Sequence, residues 1–177
     1  IISLLGLALL GKFTADDSYI YFRYARNLVD TGSLVYNDGV FVTAITAPSQ
    51  GLIDPLLYWA TPDLVIAHKV LGAILTVAAI YMGMRLVPRN YRAQFLALTA
   101  FPPLWLWSSG GLETATLVVI IAALVSRYVI DPTSQQFNVR RATVIGLLVG
   151  AAFVTRYDSI IFSGPLMTFA IYRQFPR

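Results

Sequence analysis

Two adjacent carboxylates, Asp16 and Asp17, open the stretch "DDSYIYFRYARNLVDTG", and two arginines, Arg23 and Arg26, follow within it. Farther along, Glu113 stands in "SSGGLET", and Arg156 and Asp158 stand in "TRYDS". A carboxylate at a lipid boundary is poorly hydrated and can serve as a general base toward a hydroxyl. An arginine presents paired donors to a phosphate. An acid-base group beside a phosphate clamp at a membrane surface points to chemistry on a lipid-linked phosphate, provided the chain brings these residues to one face.

The rest of the composition says what must position them. Hydrophobic residues make up 57% of the 177 and charged ones 12%, against roughly 25% charged in a soluble domain. Several long apolar runs accompany that balance. A soluble helical bundle this apolar would need nearly every face buried, which so short a chain cannot provide. The expected fold is all-α, a polytopic transmembrane helical bundle. The chain begins Ile-Ile-Ser inside an apolar run, so residues 1–12 are read as a truncated first span and the whole as a fragment of a longer protein. The absence of cysteine excludes disulfides, thiolate metal sites and cysteine nucleophiles within this chain.

Runs of about the length a bilayer requires place spans at about 64–87, 93–107, 112–130, 142–155 and 159–172. The second carries Pro102-Pro103 and is expected to be kinked. The last two flank "RYD" and are read as two thin spans rather than one broken helix. Arginines cluster at Arg85, Arg89 and Arg92, at Arg127, Arg140 and Arg141, and at Arg173 and Arg177. Those ends are taken as cytoplasmic. The opposite side then holds residues 13–63, the turn at 108–111 and the break at 156–158, with Trp59, Trp105 and Trp107 near that surface. Within 13–63, Asp17 to Val29 has helical periodicity, and Gly51 to Ala60 is apolar but too short to cross and contains Asp54-Pro55. Two helices lying in the outer interface are expected there, joined by a turn-rich "TGSLVYNDG".

Each chemistry-bearing residue also has a plain structural reading. Asp16 and Asp17 sit where a helix dipole favours anions. Glu113 is placed to cap the next span, and Arg156 and Asp158 to pair locally at a helix break. Arg23 and Arg26 are placed to attract anionic headgroups. His68 is read as a helix-interior or interfacial residue without catalytic consequence, and most of the remaining acids, Asp30, Asp38, Asp54, Asp63 and Asp131, as turn or surface residues. What favours function is the convergence of costly ionisable groups from separate segments on one membrane face.

In the same order, "DDSYIYFRYARNLVDTGSLVYNDG", "TAPSQGL", "SSGGLET" and "TRYD" resemble the motifs of the GT-C fold membrane glycosyltransferases that use polyprenyl-phosphate sugars, closest to the actinobacterial arabinofuranosyltransferase branch. The resemblance covers nearly the whole chain. It implies inverting transfer of a sugar, in that branch arabinofuranose for cell-envelope assembly, from a polyprenyl-phosphate donor to a glycan or protein acceptor hydroxyl. One of Asp16 and Asp17 is implied as the general base. The other is implied to position the acceptor or, in members that use one, a divalent cation, magnesium or manganese. Glu113 is implied on the acceptor side, and Arg156 at the donor phosphate with Asp158 orienting it; Arg23 and Arg26 are further phosphate candidates. The implied setting is an integral protein of a bacterial plasma membrane with its site on the extracytoplasmic face, and no nucleic-acid partner. Three departures bear on acceptor and sugar: no tryptophan follows the proline in "TAPSQGL", Tyr157 stands where the family usually has proline, and "NDGVFVTAIT" lacks the usual glutamate and glycine.

Two other classes compete with this reading. A transporter fragment would place its charges near the bilayer midplane, and a catalytically silent scaffold would tolerate loss of the acidic pair.

Overall fold

Proline, glycine and polar breaks divide this apolar chain into helices. The computed structural model describes residues 13–40, 42, 44–126 and 139–172. The expected first span at 1–12, together with Arg127, Asp131, Arg173 and Arg177, lies outside them. The described residues are all-helical: α1 (Ser18–Thr31), α2 (Pro48–Ala60), α3 (Leu64–Leu86), α4 (Arg92–Thr99), α5 (Pro102–Ser109), α6 (Thr114–Leu124), α7 (Val139–Thr155) and α8 (Ile160–Tyr172). Single 3-10 turns at Arg89–Tyr91 and Tyr157–Ser159 lead into α4 and α8.

The local chemistry accounts for the boundaries. Gly32 ends α1 in the left-handed conformation (φ 75°), donating its N–H to the Leu28 carbonyl, a conformation that costs glycine nothing. Asp63 starts α3 by accepting the Ile66 N–H at 3.0 Å, as an N-cap does. The segment expected as one kinked span at 93–107 is two helices. Pro102 and Pro103 lack the N–H groups a continuing helix needs, and Phe101 before them is extended (φ −55°, ψ 116°), as the residue before proline prefers. A second break then separates α5 from α6 by a bend of 117°.

Helix α3 is the one described helix that is by itself long and apolar enough to cross a membrane; α5 and α6 pass only as a bent pair. Its buried and exposed residues fall on two faces. Leu64, His68, Gly72, Thr76 and Ala79 are buried, whereas Ile66, Val70, Ile74, Val77 and Tyr81 are exposed. The small inward residues let neighbours approach closely: a Cβ on Gly72 would collide with the Ser108 carbonyl at the end of α5, and one on Gly83 with the Phe95 ring of α4.

Two apolar clusters hold the rest. Phe22, Ala25 and Leu64 join α1 to α3, with Leu57 and Tyr58 of α2 packed on them. Leu124, Ile145 and Val149 join α6 to α7, with Met167 of α8 beside them. The contacts of Gly72 with Ser108 and of α1 with the α5–α6 turn put α1, α2, the start of α3 and that turn at one end of the bundle. The junction between α7 and α8 reaches the same end through Arg156.

Candidate functional site

That end is held together by hydrogen bonds to two glycines. The Gly110 carbonyl accepts from the Ser18 hydroxyl at 2.7 Å and from the Ala15 N–H at 2.8 Å. The Gly111 carbonyl accepts from the Gln50 side chain at 3.1 Å. Gly111 has φ 87°, and a Cβ there would meet Ser18 Oγ at 2.8 Å. The chain therefore turns here in a conformation that glycine alone adopts without strain, and that turn delivers Glu113 to the surface of α1.

Beside the turn opens a cleft of about 430 Å³. Asp17, Ile20 and Tyr21 of α1 form one wall, Ala44 and Thr46 of the following segment another, and Leu112 with Glu113 a third. Arg156, Tyr157 and Asp158, at the break between α7 and α8, complete it. The Tyr21 and Thr46 hydroxyls lie 2.7 Å apart, tying α1 to the extended segment. Of the residues singled out from sequence, Asp17, Glu113, Arg156 and Asp158 are thus brought together from three separate stretches. Asp16 is exposed next to the cleft but does not line it.

Arg23 and Arg26 are not brought there. Counted from Asp17 at 100° per residue, Arg23 lies about 120° and Arg26 about 180° round α1. They line a second cleft with Tyr19, Phe22, Leu64 and Val65.

Asp17 is the N-cap of α1 but makes no side-chain capping hydrogen bond. Its carboxylate is therefore not consumed in starting the helix. Glu113, also at an N-cap position without a side-chain cap bond, is buried and forms an ion pair of 3.2 Å with Arg156. Burial raises the Glu113 pKa above its ordinary range, with Asp158 and Asp54 adding to the rise and Arg156 opposing it. Arg156 also donates from Nε and Nη2 to the two oxygens of Asp158 at 2.9 and 3.1 Å. This hydrogen bond chiefly holds exposed Asp158 below the usual carboxylate range and raises the Arg156 pKa. A guanidinium fixed by two carboxylates keeps unused N–H groups on both terminal nitrogens, aimed from a set position.

Behind the cleft is a pair that sequence reasoning passed over. Asp54, one of five acids most of which are expected at turns or the surface, is fully buried in α2, and its Oδ1 lies 2.9 Å from His68 Nε2 of α3. Burial raises its pKa, partly offset by His68, and the Phe22 ring lies 5.2 Å from the imidazole. A usable signal was present: an aspartate inside an apolar helix needs a partner, and the chain holds a single histidine. Gln50, one turn before Asp54, had no comparable signal. No group of three or more histidines, cysteines or acids suited to a metal ion occurs among the described residues. Asp16 and Asp17 at the start of α1 would hold a divalent cation only with substrate phosphate and water completing the ligand set.

No family model, curated protein or solved structure matches this chain.

Proposed function

We propose that this chain is the membrane-embedded catalytic part of a glycosyltransferase that moves a sugar from a polyprenyl-phosphate donor to an acceptor hydroxyl outside the cytoplasm. The observation that carries the reading is the cleft, where an uncommitted aspartate, a buried glutamate and a positioned arginine from three distant segments face one space. The resemblance of the same segments to the polyprenyl-phosphate-sugar glycosyltransferases supports it. The branch of that resemblance gives arabinofuranosyl transfer in cell-envelope assembly as the specific form.

In this mechanism the Asp17 carboxylate takes the proton of the acceptor hydroxyl. The hydroxyl oxygen attacks the anomeric carbon from the face opposite the phosphate, and the carbon–oxygen bond to phosphate breaks with its electron pair going to the phosphate. Inversion follows from that geometry. The free N–H groups of Arg156 stabilise the departing phosphate, where charge develops. Asp158 and Glu113 hold the guanidinium, and Glu113 extends to the acceptor side. Asp16 supports the acidic turn without entering the cleft. The outward apolar face of α3 and the strongly exposed Trp59 fit a bilayer setting with the cleft at its outer surface.

The test is transfer of radiolabel from a panel of polyprenyl-phosphate sugars to a cell-envelope acceptor, using the protein in membranes. Asp17→Asn and Asp16→Asn variants are compared at equal expression. Transfer that falls at least about a hundredfold in Asp17→Asn, the usual cost of removing a general base, and much less in Asp16→Asn, supports the assignment. Unchanged transfer in Asp17→Asn overturns the site. Absence of transfer from every donor overturns the reaction.

A further inference from the structure

Arg156 and Tyr157 line the Asp17 cleft side by side, and Tyr157 also begins an apolar track that leaves it. Its exposed ring packs at 5.3 Å on the ring of Phe153, itself exposed near the end of α7. One turn farther on, Ile161 is exposed at the start of α8. Beyond it, Gly164, Pro165, Thr168, Phe169 and Tyr172 line a shallow groove of about 600 Å³. Counted from Ile161 at 100° per residue, all five and Ile161 itself fall within an arc of about 140°. Ser159 and Ser163, both buried, fall about 160° and 200° from Ile161, on the reverse of the helix. Met167 packs toward the cluster between α6 and α7. Track and groove are therefore one face of α8, turned away from the bundle, and Tyr157 joins that face to the Arg156 side of the cleft.

The groove suits a chain rather than a head. No charged side chain lines it among the described residues. The Thr168 hydroxyl is turned onto the Gly164 carbonyl at 3.0 Å, and Gly164 leaves the floor without a side chain. Tyr157 with Phe153 at one end, and Phe169 with Tyr172 at the other, offer flat aromatic surfaces to an unsaturated, branched chain. We propose that the isoprenoid tail of the donor leaves the cleft past Tyr157 and lies along this face of α8, seated in the Gly164 groove. A phosphate at Arg156 then stays at the outer surface while its tail descends into the bilayer. This route rests on the polyprenyl-phosphate reading for the headgroup and adds to it where the lipid is held.

The test is photolabelling of the protein in membranes with a long polyprenyl phosphate that carries a diazirine in its chain, followed by peptide mapping. Label is expected on α8, displaced by unlabelled polyprenyl phosphate but not by an equal amount of phosphatidylglycerol. Gly164→Leu fills the groove floor, where a Cβ meets nothing closer than Ile160 at 3.8 Å. It lowers the label about tenfold, the discrimination a hydrophobic pocket makes over one misplaced methylene. Gly146→Leu, which adds the same side chain to open space on α7, leaves it unchanged. Label displaced equally by phosphatidylglycerol, or lowered equally in both variants, overturns the route in favour of bulk lipid. Label absent from α8 while transfer proceeds overturns the route and leaves the transfer reading standing. Specific label on α8 without transfer from any donor supports the lipid site and overturns the reaction.

Discussion

Arg156 bridges two carboxylates in opposite surroundings: Glu113, whose side chain is 7% exposed, lies 3.2 Å from its Nη1, and Asp158, 59% exposed, lies 2.9 Å from its Nε. The outer pair adds little stability because water screens it, so its value is in fixing the guanidinium. The inner pair neutralises a charge that burial would otherwise penalise. One arginine therefore links the break between α7 and α8 to the turn before α6.

Removing that arginine exposes the cost. Arg156→Gln leaves Glu113 buried without its cation and is expected to lower stability by about 1–2 kcal/mol, between the values for exposed and fully buried pairs because Arg156 is half exposed. The double variant Glu113→Gln/Arg156→Gln recovers part of that loss, as thermal unfolding in one detergent will show. Arg156→Lys keeps the charge but loses the fork; its transfer rate falls at least about tenfold while its stability stays close to wild type.

The buried acid also sets a pH dependence. Glu113 is raised above its ordinary value of 4.5 in the folded protein, so between the unfolded and folded values the native state binds more protons than the unfolded chain. Stability from this group is full below the unfolded pKa and is lost as pH rises through the folded one. Asp54, raised from 3.8, acts in the same direction, and exposed Asp158, lowered by Arg156, in the opposite one. Glu113→Gln is expected to remove part of the decline in stability above pH 4.5. A variant whose unfolding midpoint follows the wild-type pH curve would show that Glu113 is not held in this buried state.

Backbone geometry gives a prediction independent of charge. Gly111→Ala forces a side chain onto φ 87° and against Ser18 Oγ, and should cost about 2 kcal/mol. It should also reduce transfer, because Glu113 lies two residues on. Gly146→Ala has open space around its Cβ within α7 and should be neutral or stabilising by about 0.5–1 kcal/mol. Equal unfolding midpoints for the two variants would contradict the turn geometry.

The all-helical pattern, the terminus of α1 at Gly32 and the separation of α7 from α8 at "RYD" were legible because each depends on local chemistry: apolar runs, a glycine and a polar break. The proline pair marked an interruption near 102, but not that it would end a helix outright. Which side of α1 each charge would occupy was also available, since Asp17 and Arg23 differ by six helical steps. Even so, shared membership of one outer surface drew both toward a single site. That Asp54 inside an apolar helix needs a partner was legible, with one histidine in the chain to supply it; the Gln50–Gly111 contact was not, because it depends on how α2 lies across the glycine turn, and no period within the helix records that crossing.

Orientation across the bilayer is the remaining test, and the lack of cysteine in the chain makes it clean. The 23 residues of α3 span about 34 Å at 1.5 Å per residue, enough for a hydrocarbon core of about 30 Å. Ser33, exposed in the connection after α1, lies at the cleft end, and Asn90, exposed after α3, lies beyond the other end. In sealed cells a membrane-impermeant thiol reagent is expected to label Ser33→Cys at once and Asn90→Cys only after permeabilisation. Labelling of both from outside would mean that α3 does not cross. Labelling of Asn90→Cys alone would turn the cleft toward the cytoplasm, where an extracytoplasmic acceptor could not reach Asp17, and transfer on the outer face would have to be abandoned.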